Sequence, residues 1–519
     1  MILRRAAIYV ALVLCVLGHS VQSQDITLTS RDGRVELSGT LLGFDGEFYR
    51  IETLYGELTV DGSGVLCDGP GCPNLEDFVA ELKVSGSATM GAVLMPALIE
   101  GFALRNGYTA EREVEDKTHF TYTLTDDRTE KPAAIFYFRV TNTNEGFADL
   151  LANEADMVMA LREIRPDEQL RAKEAGMGDM TGDNRSRVLA LDAIVPIVAP
   201  NNPVRDISPI NLARAFAGRI TNWTELGGPD APISLHAPAA ETGLGQAIED
   251  EVIAPAELQM SPNVIRHDRG VELALSVASD PFALGVASFA EVGNAEALRL
   301  TGPCGRALRA TRRSIKMEDY PLTAPMFVYL PARRLPKIAR EFLAFTSGPT
   351  AQIVIRRAGF VDQAPEEVPI DEQGNRLANA IAAAGPEVGL VELQRLIRTL
   401  APMKRLTTSF RFESGSVRLD AQSRSNIQQM ARALEQGRYD ARRLLFVGFS
   451  DSEGAAYTNK KIALSRAEAV RLAIIDAAEI ADLDRVQLDV DAFGEAMPMA
   501  CDTSAWGRQA NRRVEVWVR

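Results

Sequence analysis

Apolar residues recur with a period of two from Asp25 to about Asp77 and then give way to strands alternating with helices, so the chain cannot fold as one repeating layer. The first stretch reads ITLTS, RVELSGTLLGF, EFYRIETL and ELTVDG, broken at Arg31-Asp32-Gly33 and Phe44-Asp45-Gly46. Short alternating runs with Gly-containing turns predict a small all-β, barrel-like unit over 24–78, with a structural or interaction role. From Glu81 to Asp362 strand and helix patterns interleave, which predicts an α/β domain over 79–362. QAPEEVPIDEQG is rich in Pro and acid and reads as extended and solvated, whereas NRLANAIAAA and VGLVELQRLIRTLAPM have helical apolar spacing. Residues 363–404 therefore read as a linker with short helices, and 405–519 as an α+β domain. At about 100 to 200 residues per domain, the length of the chain also gives three or four domains.

The opening 23 residues carry Arg4 and Arg5, an apolar run from Ala6 to Leu17, and small residues near Ser23. This is the pattern of a cleaved secretory signal. Leu14 before Cys15 does not suit a lipidation signal, and no later stretch offers the roughly 20 uninterrupted apolar residues of a membrane-spanning helix. The formal charge is −14, yet residues 405–519 hold 17 Lys and Arg against 16 Asp and Glu, so the excess acid lies upstream. No basic stripe is present to neutralise phosphates, which argues against nucleic acid as a partner. Cys67 and Cys72 bracket the turn Asp68-Gly69-Pro70-Gly71, and in an oxidising compartment they are expected to form a disulfide. Cys304 and Cys501 read either as a second bridge or as two buried thiols.

The sharpest chemical pattern lies in GFSDSEGAAYTNKKIALSRAEAV, where Asp451 precedes Arg466 by 15 residues and Asn459 lies between them. An acid on a loop after a strand and an Arg on the next helix suit a ligand with both charges, because losing either charge leaves a partner unpaired. With the closing NRRVEVWVR, these residues resemble the OmpA-like peptidoglycan-binding domain. The resemblance implies that Asp451 and Arg466 clamp the amine and carboxylate of diaminopimelate in a wall stem peptide, with Ser450, Asn459 and Arg513 beside them. Phe449 and Ser450 stand where the family has His and Thr, and Ile462-Ala463 where it commonly has Leu-Ser.

Upstream, ELKVSGSATMG followed by AVLMPALIEGFALRNG is a strand, a small-residue loop and a helix start, an arrangement that can offer N–H groups to an anion. Asp192 in SRVLALDAIVPIVAP, the run Phe216-Ala217-Gly218-Arg219-Ile220-Thr221-Asn222-Trp223, Tyr320-Pro321-Leu322 and Gly359-Phe360-Val361 follow at set spacings. In this order they resemble the PstS-like phosphate-binding proteins of ABC transporters. The resemblance implies a type 2 periplasmic binding fold, two lobes joined by crossing strands around a ligand cleft. It implies an anion site of Ser87, Thr89, Thr143, Arg162, Thr242 and Gly243, and an ABC permease as partner. Relatives carry Ser-Gly-Thr-Arg where this chain reads Thr242-Gly243-Leu244-Gly245, and serines where it has Ala160-Leu161. Phosphate, another oxyanion, a small organic anion and a cleft without ligand all remain open.

His119, His236 and His267, the histidines beyond the leader, have no metal-ligand spacing, and neither a G-x-S-x-G elbow nor a P-loop occurs. The expected class is therefore a binding protein without cofactor or metal, not an enzyme. The expected architecture is multidomain α/β and α+β: an N-terminal β-barrel-like unit, a two-lobed type 2 periplasmic binding fold and a C-terminal OmpA-like domain. The expected function is capture of a small, phosphate-like anion by a periplasmic protein held on the peptidoglycan of a Gram-negative cell, near its outer membrane. The alternative is a structural envelope protein whose binding-protein-like domain makes protein contacts.

Overall fold

The computed structural model describes residues 25–75, 78–182, 185–412 and 418–519, so the expected signal segment lies outside the described residues. In the N-terminal unit five strands form one antiparallel sheet, with Gly56–Asp61 at one edge and Val65–Asp68 at the other. Alternation gathers Ile26, Leu28, Tyr49 and Ile51 into a small core. Cys67 and Cys72 are bonded, closing the loop after the edge strand. Asp45 and Glu47 dock the unit on the binding domain through Arg334 at 2.7 Å and Arg340 at 2.5 Å.

A two-lobed α/β body follows. The strand Ser186–Val198 pairs through its first half with Thr323–Tyr329 and through its second half with Ala283–Ser288, so one strand serves both lobes. Every residue from Val188 to Val198 is buried, which explains why it reads as a continuous apolar run rather than an alternating one. Lobe one packs Leu82, Val84, Phe136 and Phe138 under helices that contribute Leu98, Phe102 and Phe342. Lobe two and the crossing strands form a second core around Trp223, Val195, Ile197 and Leu284.

In 363–404 the expected short helices form at Arg376–Ala382 and Leu390–Leu400, but the start is not the expected solvated spacer, since Gln363 and Val368 are buried. Glu367–Pro369 adds an edge strand to the C-terminal sheet by pairing with Lys404–Arg411. The helix Leu390–Leu400 buries Leu393, Leu396 and Leu400, one stripe at helical spacing, against Leu445, Val447, Phe449 and Trp517. A mixed sheet needs both faces covered. The helices Ala421–Glu435 and Ala456–Ala477 cover one face, and the linker helices cover the other.

The C-terminal domain is joined firmly to the binding domain. Cys304 is bonded to Cys501. Arg405, fully buried, makes a two-pronged contact with Asp319 at 2.6 and 2.9 Å, and Lys316 ties the start of the linker to the binding domain through Glu366 at 2.7 Å. Ala421 belongs to the lobe-two core and Trp506 packs against it. Breaking such a buried pair costs about 3 to 5 kcal/mol, because the surviving charge stays desolvated. Among the described residues no helix is long and apolar enough to cross a membrane.

Candidate functional site

Strand Arg443–Phe449 delivers the loop that carries Asp451, and helix Ala456–Ala477 returns across it. Gly448 permits this close crossing, since a Cβ there would lie 2.0 Å from the Ala463 carbonyl oxygen. Gly454 turns the loop with φ +97°, a conformation glycine adopts freely. The Ser452 N–H donates to Asp502 Oδ2 at 3.0 Å, which fixes the loop from the far side.

Asp451 and Arg466 are both nearly buried, at 8% exposure each. The Asp451 carboxylate accepts from Arg512 Nη1 at 2.7 Å. Arg466 instead lies over the Phe412 ring at 5.1 Å, and its Nε has no hydrogen-bond partner among the described residues. Burial and then the nearby Arg512 pull the Arg466 guanidinium below its usual range, while Asp451 opposes them. The structure thus gathers one carboxylate and two guanidiniums and leaves one guanidinium without a full set of acceptors. Asn459 donates to Glu495 at 3.1 Å, and the Ser450 hydroxyl, also buried, has no partner among the described residues.

Arg513 lies elsewhere, and its expected place at this site is corrected. It is fully buried, donates to Glu515 at 2.7 Å and to the Met497 carbonyl at 2.9 Å, and lies over the Phe449 ring. Strand alternation turns Arg513, Glu515 and Trp517 toward one face of Arg513–Val518, and Trp517 is part of the cluster that the linker helices cover. Arg512, one residue earlier, takes the place at the site. Two features missed in the sequence, Arg512 and Asp502, could have been found by counting strand phase back from Trp517 and by noting that Asp502 adjoins Cys501.

In the cleft, Ser87 ends strand Ala80–Ser87 fully buried with its hydroxyl unpaired, and the Thr141 hydroxyl is likewise buried without a partner among the described residues. Gly86 at φ +125° lets this strand run against the neighbouring one, since a Cβ would meet the Met159 carbonyl at 2.2 Å. Thr143 begins helix Thr143–Leu151, and its hydroxyl accepts from the Leu161 N–H at 3.2 Å. From lobe two, Thr242 caps helix Gly243–Ile248, accepting from Gly245 N–H at 3.1 Å and donating to the Ala239 carbonyl at 2.7 Å. Thr89 opens the helical turn at Met90–Leu94 and makes no capping bond there. Ser87, Leu161 and Gly243 meet across the lobes: a Cβ on Gly243 would lie 2.8 Å from Leu161 Cδ1 and 3.3 Å from Ser87 Oγ.

Arg162 points away from that junction. Both of its terminal nitrogens donate to Glu168 at 2.8 Å, one of them also bonds Asn144 at 2.5 Å, and the ring of Phe147 lies beneath. The ion pair is 9% and 10% exposed at its two side chains, so the charge is cancelled internally. Asp192, in the crossing strand, accepts from Ser288 Oγ at 2.5 Å, and burial raises its carboxyl to about 6. It ties the crossing strand to lobe two.

Residues 77–349 match the PBP superfamily domain, more than half of the chain. The chain belongs to the PBP superfamily. Residues 411–512 of this PBP-superfamily protein match the OmpA family. Among curated proteins it is 22% identical over 182 residues to the phosphate-binding protein PstS of Borreliella burgdorferi, covering 34% of this chain and 65% of that one. It is 24% identical over 242 residues to the PstS of Staphylococcus haemolyticus, covering 44% and 72%. The chain thus spans somewhat less than two thirds of the length of the first of these relatives. Among solved structures, an ABC-type phosphate transport receptor of Vibrio cholerae aligns at TM-score 0.41 and 19% identity, covering 54% of this chain and 99% of that one. A peptidoglycan-associated lipoprotein of Burkholderia pseudomallei aligns at TM-score 0.19 and 26% identity, covering 21% and 89%.

Proposed function

We propose that this PBP-superfamily protein is a solute-binding protein of the periplasm, held on peptidoglycan by its OmpA-like domain, with a cleft for a small phosphate-like anion. The observation that carries the anchor is Arg466, a nearly buried guanidinium whose nearby carboxylate, Asp451, bonds Arg512 instead. A stem-peptide carboxylate would supply the missing acceptor, and Asp451 accepts the ammonium at the other end, with Ser450 and Asn459 lining the approach. Charge-assisted bonds of this kind are worth roughly twice neutral ones. Arg466→Ala and Asp451→Ala should each abolish cosedimentation with purified sacculi. Undiminished pull-down by both variants defeats the anchor.

The buried, unpaired hydroxyls of Ser87 and Thr141 support an anion in the cleft, since a desolvated oxyanion takes neutral donors. The names of the curated relatives point to phosphate, and an ABC permease would be the receiving partner. Binding rather than catalysis is the role assigned. The contact of Leu161 with Gly243 across the lobes and the internal pairing of Arg162 favour the second reading, an envelope scaffold whose cleft captures nothing. Titration calorimetry of the full chain with phosphate separates the two. Heat with one site per chain supports capture, and silence across phosphate, sulfate and small carboxylates supports the scaffold.

A further inference from the structure

Between the two lobes and the C-terminal domain lies a cavity of about 460 Å³. Its floor is the hinge around Glu318 and Tyr320, and its roof is built by the C-terminal domain from Arg411, Asp420 and Trp506. Five carboxyl groups line it, those of Glu163, Asp250, Glu251, Glu318 and Asp420, against three guanidiniums. None of the guanidiniums is free to meet an anion. Arg162 is held by Glu168, and Arg165 grips Asp250 at 2.6 and 2.9 Å. Arg411 donates to the carbonyls of Gln509 at 3.1 Å, Ala510 at 2.9 Å and Glu318.

The carboxyl of Glu318 is buried and only partly paired. The residue is 8% exposed, its Oε2 lies 3.5 Å from Arg411 Nε, and its Oε1 has no hydrogen-bond partner among the described residues. A buried acceptor left unmade costs about 1 to 3 kcal/mol, more for a charged group. The cavity is of the size that holds a small ligand, and Tyr320, Phe327 and Trp506 give it apolar wall.

We infer that this chamber binds a small organic cation, a primary amine or diamine whose ammonium pairs with the Glu318 carboxyl while its alkyl stem lies against Tyr320, Phe327 and Trp506. The chamber adjoins the Ser87–Gly243 junction through Leu161, and an amine ligand goes beyond the anion reading. Because both lobes and the C-terminal domain contribute walls, the cation would hold the three together.

Full-length protein titrated with putrescine at pH 7.5 tests this. Saturable binding near one per chain is expected, weakened at least tenfold by Glu318→Gln and more than twofold by Glu251→Gln, with thermal melting confirming that both variants fold. Burial raises the Glu318 carboxyl to about 8, with Asp420 and Asp319 adding to the rise and Arg411 and Arg405 opposing it. The incoming ammonium therefore displaces a proton, and wild-type affinity should climb by up to about tenfold per pH unit between pH 6 and 7.5. That climb should vanish in Glu318→Gln. No heat from putrescine with wild type, or binding by folded Glu318→Gln within twofold of wild type, overturns the assignment. A phosphate site abolished by Glu318→Gln would put the anion in this chamber and overturn it too. Phosphate silence alone bears only on the cleft reading and leaves the amine titration to decide.

Discussion

Arg162 in the cleft and Arg466 in the C-terminal domain are both nearly buried arginines beside an aromatic ring, yet their surroundings give them opposite uses. Arg162 has a two-pronged carboxylate partner in its own lobe, six residues along the chain. The Nε of each is buried without a partner among the described residues, but Arg466 has Phe412 beneath it and a neighbouring carboxylate whose hydrogen bond goes to Arg512. A charge whose partner is internal builds the fold, and a charge whose partner is missing is available to a ligand. By that criterion the proposed anchor site keeps a charge for a ligand, whereas the pairing of Arg162 with Glu168 holds lobe one together.

The largest effect should come from breaking the internal pair. Arg162→Ala leaves Glu168 nearly buried without its guanidinium and should destabilise lobe one by about 3 to 5 kcal/mol, read as a lower thermal midpoint. Sacculus retention should be unchanged. Arg466→Ala should give the reverse pattern, little loss of stability and no retention. If Arg162→Ala proves neutral to folding but lowers phosphate heat, the contrast between the two arginines collapses and Arg162 becomes a ligand residue.

Next in size is the covalent link between the two regions. Cys304→Ser with Cys501→Ser removes a bridge between residues 197 apart in sequence and should lower stability by about 2 to 4 kcal/mol. Asp502, beside Cys501, also receives Asn511 Nδ2 and so keeps its hold on the Asp451 loop. Retention on sacculi should therefore fall by no more than about threefold. A complete loss of retention in the folded double variant would show that the wall site depends on the binding domain, and the comparison would have to treat them as one site.

What was legible in the sequence follows the same division. Gly448, Asp451 and Arg466 sit on one strand, one loop and one helix in series, so spacing along the chain sets their spacing in space. The two lobes were legible because their strands and helices alternate, and Ser186–Val198 declares itself by an unbroken apolar run. The linker was legible in its two helices, Arg376–Ala382 and Leu390–Leu400, and not in where they dock. Its acidic, Pro-containing start suggested solvent, whereas Val368 and the Leu393-Leu396-Leu400 stripe are buried by the C-terminal domain and lie on that domain's second face. Missing that cover also misplaced Arg513, because a strand face with no known cover reads as accessible. The pairing of Arg162 with Glu168 needed helix Pro166–Glu174 to turn back toward it, and the Cys304–Cys501 bond needed the docking of two domains that sequence treats as separate.

The smallest effect, and the one that sharpens the comparison at the domain junction, is in pH. Asp319 and Glu318 are adjacent in the chain and respond in opposite directions. Burial alone would raise the Asp319 carboxyl, but Arg405 overrides it and holds the carboxyl below its usual range. Its contribution is complete above the unfolded value near 4 and fades as pH falls below that. Glu318, raised by burial to about 8, meets the opposite case: folding takes up a proton, so its contribution is complete below about 4 and is lost as pH climbs toward 8. Stability of the docked C-terminal domain should therefore peak near pH 4 to 5 and decline above it by up to about 1.4 kcal/mol per pH unit. Thermal melting of Glu318→Gln between pH 4 and 8 should flatten that decline while leaving the acid limb in place. An undiminished decline would mean that Glu318 is ionised in the folded protein and that the junction tolerates a buried, unpaired charge.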